Sequence, residues 1–134
     1  MWVRLPHLPH KMFNIIFATL SFSAAVASAV AAWYSYSLSK NIYLGTIHQM
    51  FFNIISVHTL DEKGEAKHIV MICNFCEYLC GLVRKKIISK KDVDQYLEVF
   101  EEKPYVSYAI QRYKVNKRIF PYYVEWLKKN NLFD

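Results

Sequence analysis

Between Lys11 and Lys40 the chain contains no Asp, Glu, Lys, Arg or His. An unbroken run of this kind excludes a water-exposed amphipathic helix there, because such a helix needs a charged or polar face. Glycine is scarce, with three in the chain, and no glycine-rich phosphate cradle, nucleophile elbow or His-Glu-x-x-His is present. Nucleotide-dependent and classical hydrolytic chemistry therefore lack their usual scaffolds. The three cysteines, Cys73, Cys76 and Cys80, fall within one short segment. An odd number so closely spaced makes a poor disulfide framework and points to a reducing compartment. No alternating strand pattern of useful length occurs, which leaves an all-α class.

What is present starts with the uncharged run itself. From Ile15 to Trp33 it is built of Ile, Phe, Ala, Val and a few hydroxyl residues. About 20 helical residues at about 1.5 Å each cover a hydrocarbon core of about 30 Å, so the run is long enough to span a bilayer. A secretory signal peptide is the rival reading, with Ala27-Ser28-Ala29 or Ala29-Val30-Ala31 as its small-residue end. The run continues past those alanines through Trp33, Tyr34 and Tyr36, however, and these aromatics suit a membrane interface. The expectation is an N-terminal tail over 1–11, a transmembrane helix over 12–39 and a small helical bundle over 40–134. In the span, Ser21, Ala25 and Ala29 recur every four residues, as do Ala24, Ser28 and Ala32. Small residues at that spacing let a second helix approach closely, so the strips predict a homo-oligomer or a membrane-protein partner.

Orientation draws on two conflicting signals. Arg4 and Lys11 precede the run and Lys40 follows it, which favours the N-terminus inside. The cysteines and the cluster Arg84, Lys85, Lys86, Lys90 and Lys91 favour a cytoplasmic domain, and that orientation is adopted here. The formal charge of +6 is shared between the flanks of the span and the domain. The domain is thus only mildly basic, which argues against nucleic acid as the partner.

Beyond Asn41, the positions Tyr43, Leu44, Ile47, Met50, Phe51, Ile54, Ile55 and His58 keep helical spacing, so the first helix runs on or restarts near Gly45. Leu60 to Glu65 reads as a connection. A second helix over 66–86 carries Ile69, Ile72, Cys73, Cys76, Leu79, Cys80 and Val83 as its apolar stripe. Ser89 with Asp92 has the form of a capping box opening a third helix, which must stop before Pro104. Pro104 and Pro121 can each begin a further helix, the fourth to about Tyr113 and the last through Asn130.

Three clusters are candidates for chemistry. Cys73-x2-Cys76-x3-Cys80 has thiolate spacing suited to a metal, but it has no fourth cysteine, and His68 or His58 would have to complete it. The same three positions lie inside the apolar stripe, where cysteine packs as a small hydrophobe. The reading adopted is core, with no metal and no cofactor. The basic cluster predicts contact with anionic lipid, each residue adding about 1 kcal/mol, although a plain solvated turn has the same composition. The run from Arg112 to Trp126 interleaves bases with aromatics, and most of its rings are expected in the core. Glu77, among the cysteines, is expected to pair with a nearby base such as Arg112 or Arg118. No catalytic set emerges.

The Ala31-Ala32-Trp33 end of the span, a connecting helix, the segment from Asn74 to Val83 with Lys86-Ile87-Ile88-Ser89, and Tyr122-Tyr123-Val124-Glu125-Trp126-Leu127 together resemble a family of small bacterial single-span membrane proteins. The similarity covers most of residues 24–130 and implies a membrane-anchored helical domain facing the cytoplasm. It supplies no catalytic or binding residues, and the clustered cysteines depart from the family pattern. The function expected is a non-enzymatic interaction module or accessory subunit of a membrane complex. The alternatives are a small oligomerising pore- or lesion-forming protein of phage or toxin type, and a secreted helical protein with its signal peptide removed.

Overall fold

The computed structural model describes residues 9–56 and 62–133. Arg4, His58 and the start of the 60–65 connection lie outside the described residues. Five helices and no strand occur among the described residues: α1 (His10–Ile55), α2 (Glu62–Arg84), α3 (Lys90–Val99), α4 (Lys103–Val115) and α5 (Pro121–Lys129). The chain divides into two compact units between Ser39 and Lys40, and α1 contributes to both.

In the first unit the helix buries nothing. Every residue from Pro9 to Tyr36 is exposed, and the exposed side chains include Phe13, Ile15, Ile16, Phe17, Leu20, Phe22, Val26 and Val30. At about 100° per residue these positions take up about 220° of the cylinder, and the remaining sector holds Asn14, Ala18, Ser21, Ala25 and Ala29, so no charged face remains to meet water. Two of its hydroxyls bond back to the helix backbone. Thr19 Oγ1 donates to the Ile15 carbonyl at 2.8 Å and Ser23 Oγ to the Thr19 carbonyl at 2.9 Å, which satisfies them without solvent.

The second unit has a core of its own. α2 is its central element, burying Ile72, Cys73, Phe75, Cys76, Leu79 and Cys80, and it packs against α5, α4 and α3. α1 adds Ile47 and Ile54, α3 adds Val93 and Leu97, and α5 adds Tyr123, Val124 and Leu127. A ring cluster closes one end: Phe51 meets Tyr96 at 5.1 Å and Phe100 at 5.8 Å, and Phe75 meets Phe100 at 6.1 Å, all edge-on. This geometry adds about 0.5–1.5 kcal/mol per pair beyond burial. Among the described residues, two helices are long and apolar enough to cross a membrane, α1 and the Lys63–Arg84 stretch of α2. The apolar window of α2 is 44% buried inside the protein, whereas that of α1 is 0% buried.

Several boundaries differ from the sequence expectation. α1 is unbroken through Gly45, and α2 begins at Glu62 rather than Ala66. Glu65 then falls in its first turn, where negative charge is favoured. α2 stops at Arg84 rather than Lys86, because Lys86 is left-handed (φ 58). The Lys86 N–H bonds to the Val83 carbonyl and the Ile87 N–H to the Leu82 carbonyl, both at 3.0 Å. This is the Schellman closure, whose left-handed residue is usually glycine. Replacing Lys86 by Gly is expected to raise stability by about 1 kcal/mol by removing the Cβ strain. Chemical denaturation of wild type and K86G compares the two directly, and equal midpoints would refute the assignment of strain.

The capping box is present. Asp92 Oδ2 accepts from the Ser89 amide at 3.1 Å and from the Ser89 hydroxyl at 2.6 Å. The same oxygen lies 3.0 Å from Lys40 Nζ. The Ser89 hydrogen bond and then Lys40 hold the Asp92 carboxyl below its usual range.

Candidate functional site

The three thiols sit at the centre of the second unit, and all are buried and unoxidised. Cys73 Sγ donates to the Tyr105 carbonyl at 3.4 Å. Burial pushes the Cys73 thiol up to about 12 and raises Cys76 and Cys80 as well. Protonated, buried thiols are poor ligands and poor nucleophiles. His68, offered as a fourth ligand, has its Nε2 3.0 Å from the Ile54 carbonyl, near the C-terminus of α1. His48 Nδ1 lies 3.4 Å from the Tyr96 hydroxyl. Among the described residues, no three His, Cys, Asp or Glu side chains form a group able to hold a metal ion.

Glu77 is not paired with Arg112 or Arg118. Its carboxylate instead closes the start of α5: the Tyr122 N–H donates to Oε1 at 3.2 Å and the Tyr123 N–H to Oε2 at 2.8 Å. The reason is local to α5. Its N-cap is Phe120, in a left-handed conformation and with no side-chain oxygen to offer, and Pro121 at the first position has no N–H. The Val124 N–H already reaches the Phe120 carbonyl at 3.0 Å. Two orphan donors remain, and Glu77 takes both. Burial raises the Glu77 pKa, while the Tyr123 and Tyr122 amides pull it down. Sequence could have shown this through an apolar stripe interrupted by one carboxylate and a Phe-Pro helix start lacking its own cap. Arg112 turns to Tyr108: Nε donates to the hydroxyl at 3.2 Å and the guanidinium carbon lies 5.5 Å from the ring centre.

The 112–126 run is divided between two roles. Phe120, Tyr123 and Val124 are buried, whereas Tyr113 is covered by intramolecular cations, Lys117 at 4.4 Å and Lys128 at 5.3 Å. The Tyr123 hydroxyl lies against the Cys76 thiol, and the Trp126 indole N–H is buried with no hydrogen-bond partner among the described residues.

The turn joining α2 and α3 brings Arg84, Lys85, Lys86, Lys90 and Lys91 together, and all five are exposed. Arg84 lies 4.0 Å from Glu125 and Lys90 4.0 Å from Asp94. Lys85, Lys86 and Lys91 have no ion-pair partner among the described residues. In the first unit, Ser21, Ala25 and Ala29 and their neighbours Ala24, Ser28 and Ala32 form exposed strips along α1. No protein family, curated protein or solved structure matches this chain.

Proposed function

We propose that the protein is a single-pass membrane protein. Residues 12–39 of α1 are its span, and its second unit, a small cytoplasmic helical bundle, works as a non-enzymatic interaction module or accessory subunit of a membrane complex. The observation that carries the reading is the contrast between the two units. One carries an uncharged, strongly apolar stretch and buries none of that surface; the other closes a core of its own. The stretch 12–39 is about 40 Å long, which matches a hydrocarbon core with its interfaces. Trp33, Tyr34 and Tyr36 fall at the end where a headgroup belt is expected. α2, the second apolar helix, turns the stripe of Ile72, Cys73, Cys76 and Leu79 into the domain core.

In this proposal the strips Ser21/Ala25/Ala29 and Ala24/Ser28/Ala32 pack a second span. The unpaired cations of the α2–α3 turn attract anionic lipid. The resemblance to small bacterial single-span proteins supports the same arrangement.

Topology tests it. Gln95 is exposed on α3, so Gln95→Cys in a chain with an N-terminal tag provides a single accessible thiol. Sealed and lysed cells are treated with a membrane-impermeant thiol reagent. Labelling only after lysis, with the tag retained in the membrane fraction, is the expected result. Labelling of intact cells would place the domain outside. A lost tag and a released domain would identify the apolar segment as a signal peptide.

A further inference from the structure

Between α2, α3 and α5 the second unit contains a half-open cleft of ≈160 Å³. Its walls are apolar: Cys80 from α2, Val93 and Leu97 from α3, and Trp126 from α5. Its mouth carries three cations, Arg84, Lys90 and Lys129, against one carboxylate, Glu125. Glu125 is already engaged, 3.0 Å from Lys129 and 4.0 Å from Arg84. Asp94, which does not line the cleft, lies 4.0 Å from Lys90. The mouth therefore keeps an excess of positive charge after every pair is counted.

Size and chemistry together restrict the occupant. An apolar cavity of about 150 Å³ accommodates a benzene ring. Two flexible lysines and a planar guanidinium at the opening suit an oxyanion, and Arg matches a carboxylate with two parallel hydrogen bonds. Glu125 at the same opening disfavours a doubly charged group. We propose that this cleft is a binding site for a small apolar carboxylate, with an aryl or short alkyl body of about six to eight carbons in the slot and its carboxylate at Arg84 and Lys129. The site belongs to the second unit alone and does not depend on the membrane reading.

The test uses the full chain, ¹⁵N-labelled, in discs of zwitterionic phosphatidylcholine, titrated with 3-phenylpropionate. The indole N–H signal of Trp126, assigned through Trp126→Phe, is the reporter. A saturable shift with half-saturation at about 1 mM or below is expected. The neutral 3-phenylpropanol should bind at least about fivefold more weakly, and Lys129→Glu should weaken the acid by about tenfold, the range for losing one charge-assisted contact. Val83→Trp, which fills the slot from its α2 wall, should abolish the shift. Lys129 is exposed and its replacement spares the core, so this variant decides the matter even if V83W does not fold. A shift that rises linearly without saturating, or one of equal strength for the alcohol or for K129E, would overturn the proposal.

Discussion

Glu77→Ala should lower the stability of the second unit by about 3 kcal/mol, the largest single-residue effect expected of any polar group here. The carboxylate accepts two backbone N–H groups at the start of α5, and hydrogen bonds to charged groups contribute about 1.5–3 kcal/mol each. Removing it also leaves the Tyr123 amide buried with no acceptor, since Tyr123 is 0% exposed and Phe120 cannot substitute as a cap. For a domain of this size 1 kcal/mol shifts Tm by about 4–8 °C, so a fall of about 15 °C is expected by near-UV circular dichroism. Glu77→Gln keeps one acceptor and turns an amide donor toward the other N–H, and should fall between. Glu98→Ala, at an exposed position on α3, serves as the control. If E77A melted with that control, the cap would contribute nothing to stability.

The sign of the pH response follows from the same geometry. The folded pKa of Glu77 is raised, with burial the larger cause. A group of that kind contributes its stability below its unfolded pKa and loses it as pH rises through the folded value. Protonation of Glu77 in mild acid therefore does not by itself lower the stability of the fold. Asp92 and Glu125, whose values are lowered, have the opposite sign, and their contributions are lost as pH falls.

The Cys73 thiol should resist labelling by about a thousandfold at pH 8, and Cys76 and Cys80 should resist it as well. Cys73 is raised from 9.0 to about 12 by burial, and the reactive species is the thiolate, whose fraction falls tenfold per unit. Cys76 and Cys80 are raised by the same cause. Reaction with a coloured disulfide reagent should proceed at the rate of local or global unfolding, and all three thiols should react promptly in denaturant. Because E77A loosens α5, which covers this cluster, labelling should quicken in that variant by the factor its lost stability predicts. Prompt reaction of any thiol in the folded wild type would overturn the assignment of these residues to a closed core.

The helical class was legible from apolar spacing, and so were the approximate positions of all five helices. Pro104 and Pro121 mark starts because a first turn has no use for an amide hydrogen. Ser89 and Asp92 form their capping box because both partners lie within one turn. Where the reading missed, the deciding contact lay far along the chain or depended on backbone shape. Glu77 was assigned a basic side chain, yet it serves amides 45 and 46 residues away. α2 ends two residues early because a lysine takes the left-handed position that composition reserves for glycine.

By itself the sequence determined the class, the uncharged segment, the apolar stripe holding Cys73, Cys76 and Cys80, and the clustering of five basic residues around one turn. Each rests on neighbours within a turn or two, where the 3.6-residue period governs which side chains share a face. Only the tertiary structure decided that α2 is the central helix of a core rather than a second exposed apolar rod, that Glu77 closes α5, and that α2, α3 and α5 leave an apolar cleft with a cationic mouth. Those features depend on which helix faces which, and that is set by how the stripes of several helices fill one volume.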